Sequence, residues 1–357
     1  MHKKKISVIV GLVFLLLILV VVVFSRFFSL FGIFFDKEIE LKKVDDNINI
    51  LLLGIAGGTH GGPNLTDTII FVSLNSREDK VVLVSIPRDL WITELKGRIN
   101  IAYAKGGISM AKSFVSKIVG QPIDYILLID FYGFEKAINL LGGIDVNTSS
   151  VLDDYEYPIF GKEDDPCGHS NEELKALATA SSQLAAFPCR YSHLHFDKGL
   201  QHMDGNRALE FIRSRHAEGE EGTDFARNKR QGEVIKAIKD KVISLQTLLN
   251  PGKVIGLYSL IKGSIDTNIK EDEIDDFIKL ANKMKSASLQ NAVLDYGDQE
   301  KNQPGLLMHP DATEDYDKEW VLIPRTGNNN FSEIQKYVEC EIKIGNCKIT
   351  ASKNTPR

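Results

Sequence analysis

The feature that most constrains this chain is a long apolar run near its N-terminus. Three lysines at positions 3–5 precede residues 6–24, where only Ser7 and Gly11 interrupt the large apolar side chains. About 20 helical residues cross the hydrocarbon core of a bilayer, and a helix satisfies its own backbone hydrogen bonds in lipid. The run therefore predicts one transmembrane helix at 6–24. Residues 1–5 are expected in the cytoplasm, because lysines favour that side.

A cleaved signal peptide is the alternative to this anchor. Its apolar region would span about 7–15 residues and would end at a cleavage site rich in small residues. Here the run is longer, and Ser25 is followed by Arg26 and two phenylalanines. We therefore expect an uncleaved single-pass anchor in the cell membrane, a stalk at 25–46, and an extracytoplasmic remainder.

The charge balance of that remainder bears on its partners. Of the 43 basic residues, four lie in the first 35 positions, which contain no acid. The exported part thus has 39 basic against 48 acidic residues, a formal charge of −9. Nucleic acid is recognised through basic surfaces, so we expect no nucleic-acid partner. A cluster of arginines in this part would be a local exception to its acidity.

The four cysteines fit an exported protein. Cys167 and Cys189 flank one insertion, whereas Cys340 and Cys347 flank a short turn near the C-terminus. Their spacing matches no zinc-binding pattern. In an oxidising compartment we expect two local disulfides, Cys167–Cys189 and Cys340–Cys347. Four free thiols are the alternative if the compartment lacks oxidising machinery.

Alternating strand-like and helix-like patterns predict an α/β domain after the stalk. The main elements are expected as strands at 48–53, 68–74, 80–86 and 123–129, and as helices at 101–119, 131–141, 204–213 and 224–245. Strands that alternate with helices favour a layered α/β sandwich. The polar turn at 75–79 joins two adjacent strands, so the sheet should be mixed. We expect the domain to span 47–245, with 246–340 packing on it and 341–357 as a tail.

Residues 150–200 have no clear periodicity, and we expect an irregular region there. It contains three histidines, His169, His193 and His195, besides two cysteines. This composition raises the possibility of a metal site, but the spacings are scattered. A disulfide-pinned loop over a cleft is the favoured interpretation.

Several arginines follow the ends of predicted elements, where ligands bind in open α/β sheets. These are Arg88 after a strand, Arg98 after a glycine, Arg213 and Arg215 at a helix end, and Arg227 and Arg230 with Gln231 on one face of the next helix; Asp67 precedes a strand. If they converged, they would bind phosphate oxygens through guanidinium groups that keep their charge. Phosphoryl transfer requires such fixed positive charge. For any single arginine, a solvated surface charge is the alternative.

Eight sequence blocks, in order over residues 48–245, resemble the LytR-CpsA-Psr family. They are NILLLG (49–54), TDT (66–68), SIPRD (85–89), RINIAY followed by GG (98–103, 106–107), LGGIDV (141–146), LQHMDG (200–205), ALEFIRSR (208–215) and DFARNKRQ (224–231). The resemblance implies an α/β/α sandwich with a central mixed sheet and a hydrophobic tunnel for a polyprenyl phosphate. It also implies a membrane-bound phosphotransferase. The donor would be a polyprenyl-pyrophosphate-linked glycan and the acceptor peptidoglycan or another glycan.

The resemblance also assigns roles to individual residues. The pyrophosphate-binding positions are Arg88, Arg98, Arg213, Arg215, Arg227, Arg230 and Gln231, and the catalytic set is the first five of these with Asp67. Asp67 matches an aspartate linked to Mg²⁺, with Mn²⁺ as the alternative ion, assembled together with the substrate. Two departures bear on the metal: Ala56 stands where the family often has an acid, and Leu65 where it has an arginine.

Two other activities fit the same residues. The chain could be a pyrophosphatase of the same lipid, in which water replaces the glycan hydroxyl. It could also be a non-catalytic prenyl-lipid-binding envelope protein. The retained arginines argue against the second possibility, whereas Ala56 argues for it.

Overall fold

The computed structural model describes residues 39–44, 46–58, 62–242, 244, 247, 250, 252–253, 256–257, 259–260, 265–284, 286–298, 303–310 and 314–350. The predicted anchor at 6–24 and most of the stalk lie outside these residues. Among the helices that are described, none has both the length and the apolar character needed to cross a membrane. The chain divides into two compact units, Met1–Lys42 with Ile269–Ser286 and Lys43–Asn268 with Ala287–Arg357.

The strands and helices follow each other along the chain as predicted for an α/β protein. The strands are β1 (Asn47–Ile55), β2 (Thr66–Asn75), β3 (Lys80–Ser85), β4 (Trp91–Ile92), β5 (Gly97–Arg98), β6 (Tyr125–Asp130), β7 (Ile144–Thr148), β8 (Leu152–Pro158), β9 (Tyr191–Phe196), β10 (Gly199–Met203), β11 (Ile265–Thr267), β12 (Ser288–Val293), β13 (Gly297–Asp298), β14 (Gln303–Pro304), β15 (Leu307–Met308) and β16 (Ile323–Pro324). The α-helices are α1 (Ala102–Val119), α2 (Phe131–Leu141), α3 (Asn171–Leu177), α4 (Gln183–Ala186), α5 (Gly205–Arg213), α6 (Asp224–Val242), α7 (Ile274–Lys283) and α8 (Ser332–Lys343).

The larger unit is built on a six-stranded sheet in the order β11-β6-β1-β2-β3-β12. Strand β1 runs antiparallel to β2 and parallel to β6, while β3 runs antiparallel to β2 and parallel to β12. The prediction of a central mixed sheet is therefore confirmed.

Helices cover both faces of this sheet. Leu51, Leu53 and Phe71 on one face share a buried core with Val115 of α1 and Val338 of α8. Side chains alternate along a strand, so the residues between these point to the opposite face. Helix α6 lies on that side: the Gln231 side chain hydrogen-bonds Thr68, and a Cβ at Gly232 would lie 2.4 Å from the Asn291 side chain.

A second core lies under α5, α6 and two strand pairs, β7 with β10 and β8 with β9. It contains Val146, Leu152, Phe196, Phe211 and Val234, among others. The expectation of an irregular stretch over 150–200 is thus wrong for its two ends, which form the antiparallel β8–β9 ribbon. Only Leu194 and Phe196 supply buried apolar side chains in β9, and two apolar positions that alternate with histidines are too few to identify a strand.

Both predicted disulfides are formed. Cys167 and Cys189 have Cα atoms 5.6 Å apart and close the segment between β8 and β9. Cys340 in α8 pairs with Cys347, with Cα atoms 6.1 Å apart. The described cysteines therefore include no free thiol.

The smaller unit contains α7 and the chain segment before β1. The backbone N–H of Glu40 donates a hydrogen bond to Asp276 in α7 over 3.2 Å. Lys279 lies one turn further along and pairs with Asp276 at 3.1 Å. Leu41 is buried here, so the end of the predicted stalk is held by α7.

Candidate functional site

The candidate site lies at the edge of the sheet where four neighbouring strands, β6, β1, β2 and β3, bring acids and arginines together. The parallel strands β1 and β6 end side by side, with Ile55 opposite Asp130. The antiparallel strand β2 begins at the same edge, where Thr66 pairs with Ile55. Arg88 follows the end of β3, whose Ser85 pairs with Ile70 of β2. The carboxyl ends of strands in open α/β sheets form ligand sites, and this edge has that geometry.

Arg88 and Asp67 form an ion pair at this edge. The Arg88 Nη1 atom donates to Asp67 Oδ1 at 2.5 Å. The Asp67 side chain is 40% exposed, whereas that of Arg88 is 23% exposed. Both groups therefore reach solvent, and a phosphate could replace the carboxylate as the partner of Arg88.

Asp89 links Arg88 to Arg98. Its buried carboxylate accepts a hydrogen bond from Arg98 Nη1 at 3.0 Å, and its second oxygen lies 3.6 Å from Arg88 Nε. The Arg98 Nε atom also lies 3.0 Å from Glu319 Oε2. The structure thus joins Asp67, Arg88, Asp89 and Arg98 in one chain of charges. Glu319 belongs to the same chain and was not predicted from the sequence.

Arg213 is held by aromatic side chains. Its guanidinium lies over the Phe131 ring, 4.4 Å from the ring centroid, and Nη1 donates to the Tyr157 hydroxyl at 3.3 Å. Burial raises the pKa of Tyr157, so its hydroxyl stays protonated at neutral pH. Phe131 directly follows Asp130, which places Arg213 beside the same end of β6. Neither aromatic residue was singled out from the sequence.

Two of the predicted site residues on α6 are buried, whereas Arg215 after α5 is exposed. Gln231 is buried, and its Nε2 atom donates to Thr68 Oγ1 at 3.2 Å, next to Asp67. Arg227 is also buried, one turn earlier on the same helix. Arg215, beyond the end of α5, is exposed.

Arg230 has different hydrogen-bond partners from the other arginines. Its guanidinium donates to the backbone oxygens of Phe211 at 3.0 Å, Ser214 at 2.6 Å and Glu221 at 2.7 Å, and to the Glu221 carboxylate at 3.0 Å. Burial lowers the pKa of Arg230, and the hydrogen bond with Glu221 opposes this shift. These bonds join α6 to the end of α5. We therefore interpret Arg230 as a residue that positions its neighbours Arg213 and Arg215.

A buried carboxylate that sequence analysis missed fixes the same segment. Asp154 of β8 is fully buried and accepts hydrogen bonds from the Ser214 hydroxyl at 2.6 Å and the His216 backbone N–H at 3.3 Å. Ser214 stands between Arg213 and Arg215, so Asp154 sets the path of the chain that carries both. Asp154 was not singled out from the sequence because it lies within residues 150–200, where no regular structure was expected.

A divalent cation would need oxygen ligands at this edge. The Asp67 carboxylate lies at this edge and is partly exposed. Asp130 is a second acid beside the Ala56 position: its Oδ1 atom accepts the Gly133 N–H at 2.7 Å. Gly57, with a φ of +69°, lets the chain pass so close that a Cβ there would lie 2.9 Å from the second Asp130 oxygen. Asp130 directly follows the strand predicted at 123–129. The rule that singled out Arg88, a position just after a strand, could therefore have found Asp130 as well.

Asn100 offers a further oxygen. Its side chain is buried and its Oδ1 atom has no hydrogen-bond partner among the described residues. The Asn100 backbone is fixed between Thr66, whose hydroxyl donates to its carbonyl at 3.2 Å, and Arg88, whose carbonyl accepts its N–H at 3.3 Å. An amide oxygen of this kind, in a segment bonded to Thr66 and Arg88, is a ligand type that a hard cation such as Mg²⁺ accepts.

Comparisons with known proteins agree with this architecture. The model of the LytR_cpsA_psr family matches residues 34–314. TagU of Bacillus cereus, a polyisoprenyl-teichoic acid–peptidoglycan teichoic acid transferase, is 31% identical over 249 residues, covering 68% of this chain and 67% of TagU. The Enterococcus faecalis protein of the same description is 28% identical over 305 residues, covering 80% of this chain and 84% of its own.

Solved structures share the fold. The crystal structure of Bacillus subtilis TagV superposes with a TM-score of 0.56 at 22% identity, over 84% of this chain and 98% of TagV. A structure described as TagT bound to LIIa-WTA gives a TM-score of 0.54 at 21% identity, over 86% of this chain and 97% of that one.

Proposed function

The chain belongs to the LytR_cpsA_psr family, and from this premise we propose that it transfers a glycopolymer phosphate from a polyprenyl-pyrophosphate lipid to a peptidoglycan or other glycan acceptor. The observation that carries the proposal is the charge chain at the sheet edge, where Arg88 and Arg98 each pair with a partly exposed carboxylate, Asp67 and Glu319, that a pyrophosphate could replace. The relatives' description as transferases of polyisoprenyl-linked teichoic acid to peptidoglycan supports it.

The proposed reaction forms one P–O bond and breaks another. The acceptor hydroxyl oxygen attacks the phosphorus attached to the glycan, and the bond from this phosphorus to the bridging oxygen breaks. Polyprenyl phosphate leaves with the bonding electrons, and the hydroxyl proton passes to a base. Arg88, Arg98 and Arg213 stabilise the charge that develops on the phosphate oxygens.

Asp67 is the base that fits best. Its carboxylate is the more exposed of the two candidates, at 40% against 9% for the Asp89 side chain. Asp89 is fixed by Arg98 and its backbone carbonyl accepts the Leu322 N–H at 3.0 Å, which suits a group that orients Arg98. A proton acceptor must come within hydrogen-bond reach of the hydroxyl, and only the exposed carboxylate offers that access.

We also propose that Mg²⁺ assists, held by Asp67 with Asn100 or Asp130 and by the substrate's phosphates. Such an ion, when bound, would neutralise charge on the pyrophosphate and acidify the attacking hydroxyl. Mg²⁺ is usually held by one or two carboxylates plus substrate phosphates, so the free protein should bind it weakly. Calorimetric titration should show tighter Mg²⁺ binding once a lipid pyrophosphate analogue is present. A smaller gain in Asn100→Ala would identify Asn100, and not Asp130, as the second ligand. Equal affinity with and without the analogue would contradict shared coordination.

Product analysis separates transfer from hydrolysis. Full-length protein in detergent is incubated with a synthetic polyprenyl-pyrophosphate glycan, with and without a glycan acceptor, and the products are identified by mass spectrometry. We expect acceptor carrying the glycan phosphate, together with polyprenyl phosphate. Glycan phosphate released equally fast without acceptor would identify a pyrophosphatase, and an unconsumed lipid that stays bound would identify a lipid-binding protein.

A further inference from the structure

The outer face of the β8–β9 ribbon carries two histidines and an aspartate whose polar atoms meet at one point. Asp153 Oδ1 lies 2.9 Å from His193 Nε2 and 2.8 Å from His195 Nδ1. The three atoms all lie within 4.8 Å of one another. None of these residues takes part in the transfer site, and the ribbon's opposite face carries the buried Asp154. We propose that Asp153, His193 and His195 form a zinc-binding site.

The strand geometry explains why the three side chains share a face. His193 and His195 are two positions apart in β9, and alternate residues of a strand point to the same side. Asp153 of β8 is the cross-strand partner of His195. The sequence spacing between Asp153 and His193 is long, which is why sequence analysis placed the histidines in a scattered, unfavoured pattern.

The distances suit a tetrahedral ion after a small adjustment. Zinc bonds to nitrogen and carboxylate oxygen are about 2.0–2.2 Å long, so neighbouring ligand atoms in a tetrahedral site are about 3.3 Å apart. The observed separations of 2.8 and 2.9 Å would open by about half an ångström. Two imidazoles and one carboxylate select zinc over Mg²⁺, which prefers oxygen ligands alone. The exposed face leaves the fourth position to water or an outside ligand.

Two further features prepare the site for a metal. Asp197 Oδ1 lies 3.3 Å from His195 Nε2, the nitrogen that points away from Asp153. A carboxylate on the outer nitrogen of a ligand histidine orients the ring and strengthens it as a ligand. The backbone is also fixed, since the Asp153 carbonyl accepts the Glu218 N–H and the His195 carbonyl accepts from Arg207, both at 2.8 Å.

The chain offers a matched control. His202 of β10 faces Asp145 of β7 as its cross-strand partner, and His202 Nδ1 lies 2.7 Å from Asp145 Oδ1. This exposed pair has the same strand geometry as His195 and Asp153. It does not belong to any group of three ligand side chains found among the described residues, so it should not hold zinc tightly.

The test is a calorimetric titration of zinc chloride into the full-length protein, purified in detergent without a polyhistidine tag and stripped with chelator. We expect one zinc per chain. The double variant His193→Gln, His195→Gln should lose it, and Asp197→Asn should weaken it about 10- to 100-fold. His202→Gln should bind like the wild type, and millimolar Mg²⁺ should not compete.

Three outcomes would overturn the site. They are no zinc binding by the wild type, binding that persists in the double variant, or an equal loss in His202→Gln. Circular dichroism of each variant establishes that it is folded. Because the three side chains are exposed or partly exposed on the ribbon surface, the glutamine variants should keep the wild-type spectrum. The titration does not depend on transferase activity, so its result is separate from that of the proposed function.

Discussion

At the scale of single residues, the arginines of the candidate site differ in what their guanidinium groups contact. Arg88 and Arg98 pair with carboxylates and remain partly exposed, whereas Arg230 donates to backbone oxygens in the interior. A phosphate can replace an exposed carboxylate partner, Asp67 of Arg88 or Glu319 of Arg98, without leaving a buried group unsatisfied. It cannot replace three backbone carbonyls in the same way, since each would lose its donor.

Replacing Arg88 by alanine should abolish most transfer and leave the fold intact. Losing a hydrogen-bonding charge at a phosphate site costs about 2–5 kcal/mol of binding, and Arg88→Lys should also fail because the bidentate fork is lost. Arg227→Ala is expected to behave like Arg88→Ala. Arg77→Ala is the matched control, because Arg77 pairs with Asp46 on the surface. Initial transfer rates measure the effect. Near-normal turnover by Arg88→Ala would show that Arg88 does not belong to the site.

Arg230→Ala should instead lower the free energy of unfolding. Its removal leaves the partly buried Glu221 carboxylate and the carbonyls of Phe211 and Ser214 without the hydrogen bonds that Arg230 donates. Breaking one side of a buried ion pair costs about 3–5 kcal/mol. Urea unfolding of the variant should show a loss of this size. If stability were unchanged while transfer disappeared, Arg230 would belong with the pyrophosphate-binding residues after all.

At the scale of elements, apolar pattern and breaker residues predicted the central sheet well. Helix α2 spans the predicted residues 131–141, because Asp130 caps its start and Gly142, with a φ of +82°, ends it. The Gly106–Gly107 interruption appears as a kink inside α1. These elements were predictable because each carries its own start and stop signals.

Sequence reasoning failed where an element depends on a distant partner. Strands β8 and β9 are separated by more than 30 residues, and β9 contains histidines at alternate positions. Tyr157, Phe131 and Glu319 were missed for the same reason, since their contacts with arginines exist only once remote segments pack. The arginines themselves were singled out by their positions at the ends of predicted elements, whereas their pyrophosphate-binding role came from the family resemblance.

The two disulfides should contribute unequally to stability. Cys167 and Cys189 are 22 positions apart, whereas Cys340 and Cys347 are 7 apart. In the chain-entropy model the longer loop contributes about 3.4 kcal/mol and the shorter about 2.5 kcal/mol. Urea unfolding of the two paired Cys→Ser variants measures both. A larger loss from the C-terminal pair would mean that native-state packing, not loop closure, governs these bonds.

At the scale of the whole molecule, the proposed reaction requires the site to meet a lipid. A polyprenyl donor has an apolar chain that stays in the membrane or enters the protein, and its pyrophosphate must reach Arg88. If the predicted hydrophobic tunnel exists, native mass spectrometry of the detergent-purified chain should detect a bound polyprenyl phosphate. The Arg88→Ala variant should carry less of it, because the phosphate anchor is lost. A lipid-free wild type under mild detergent would contradict the lipid-donor proposal.

The predicted anchor at 6–24, if present, would hold the site where it can reach that lipid from outside the cell. As a helix, the nineteen residues of this run would span about 28 Å at 1.5 Å each, close to the roughly 30 Å core of a bilayer. We expect an intact N-terminus and a domain that external protease digests in whole protoplasts, because the lysines at 3–5 hold their end in the cytoplasm. Intact-mass measurement and protease digestion check the two points.

Replacing the three lysines by glutamate should weaken this orientation, since it removes the positive charge that retains the first residues inside. A mass that begins after Phe24 would identify a cleaved signal peptide, and a protease-resistant domain would place it in the cytoplasm. In the second case the oxidised cysteine pairs would need another explanation, because the cytosol keeps thiols reduced. An intact, protease-sensitive chain with both disulfides would agree with the site acting beside the outer leaflet. There, a membrane-bound pyrophosphate and a cell-wall hydroxyl can meet.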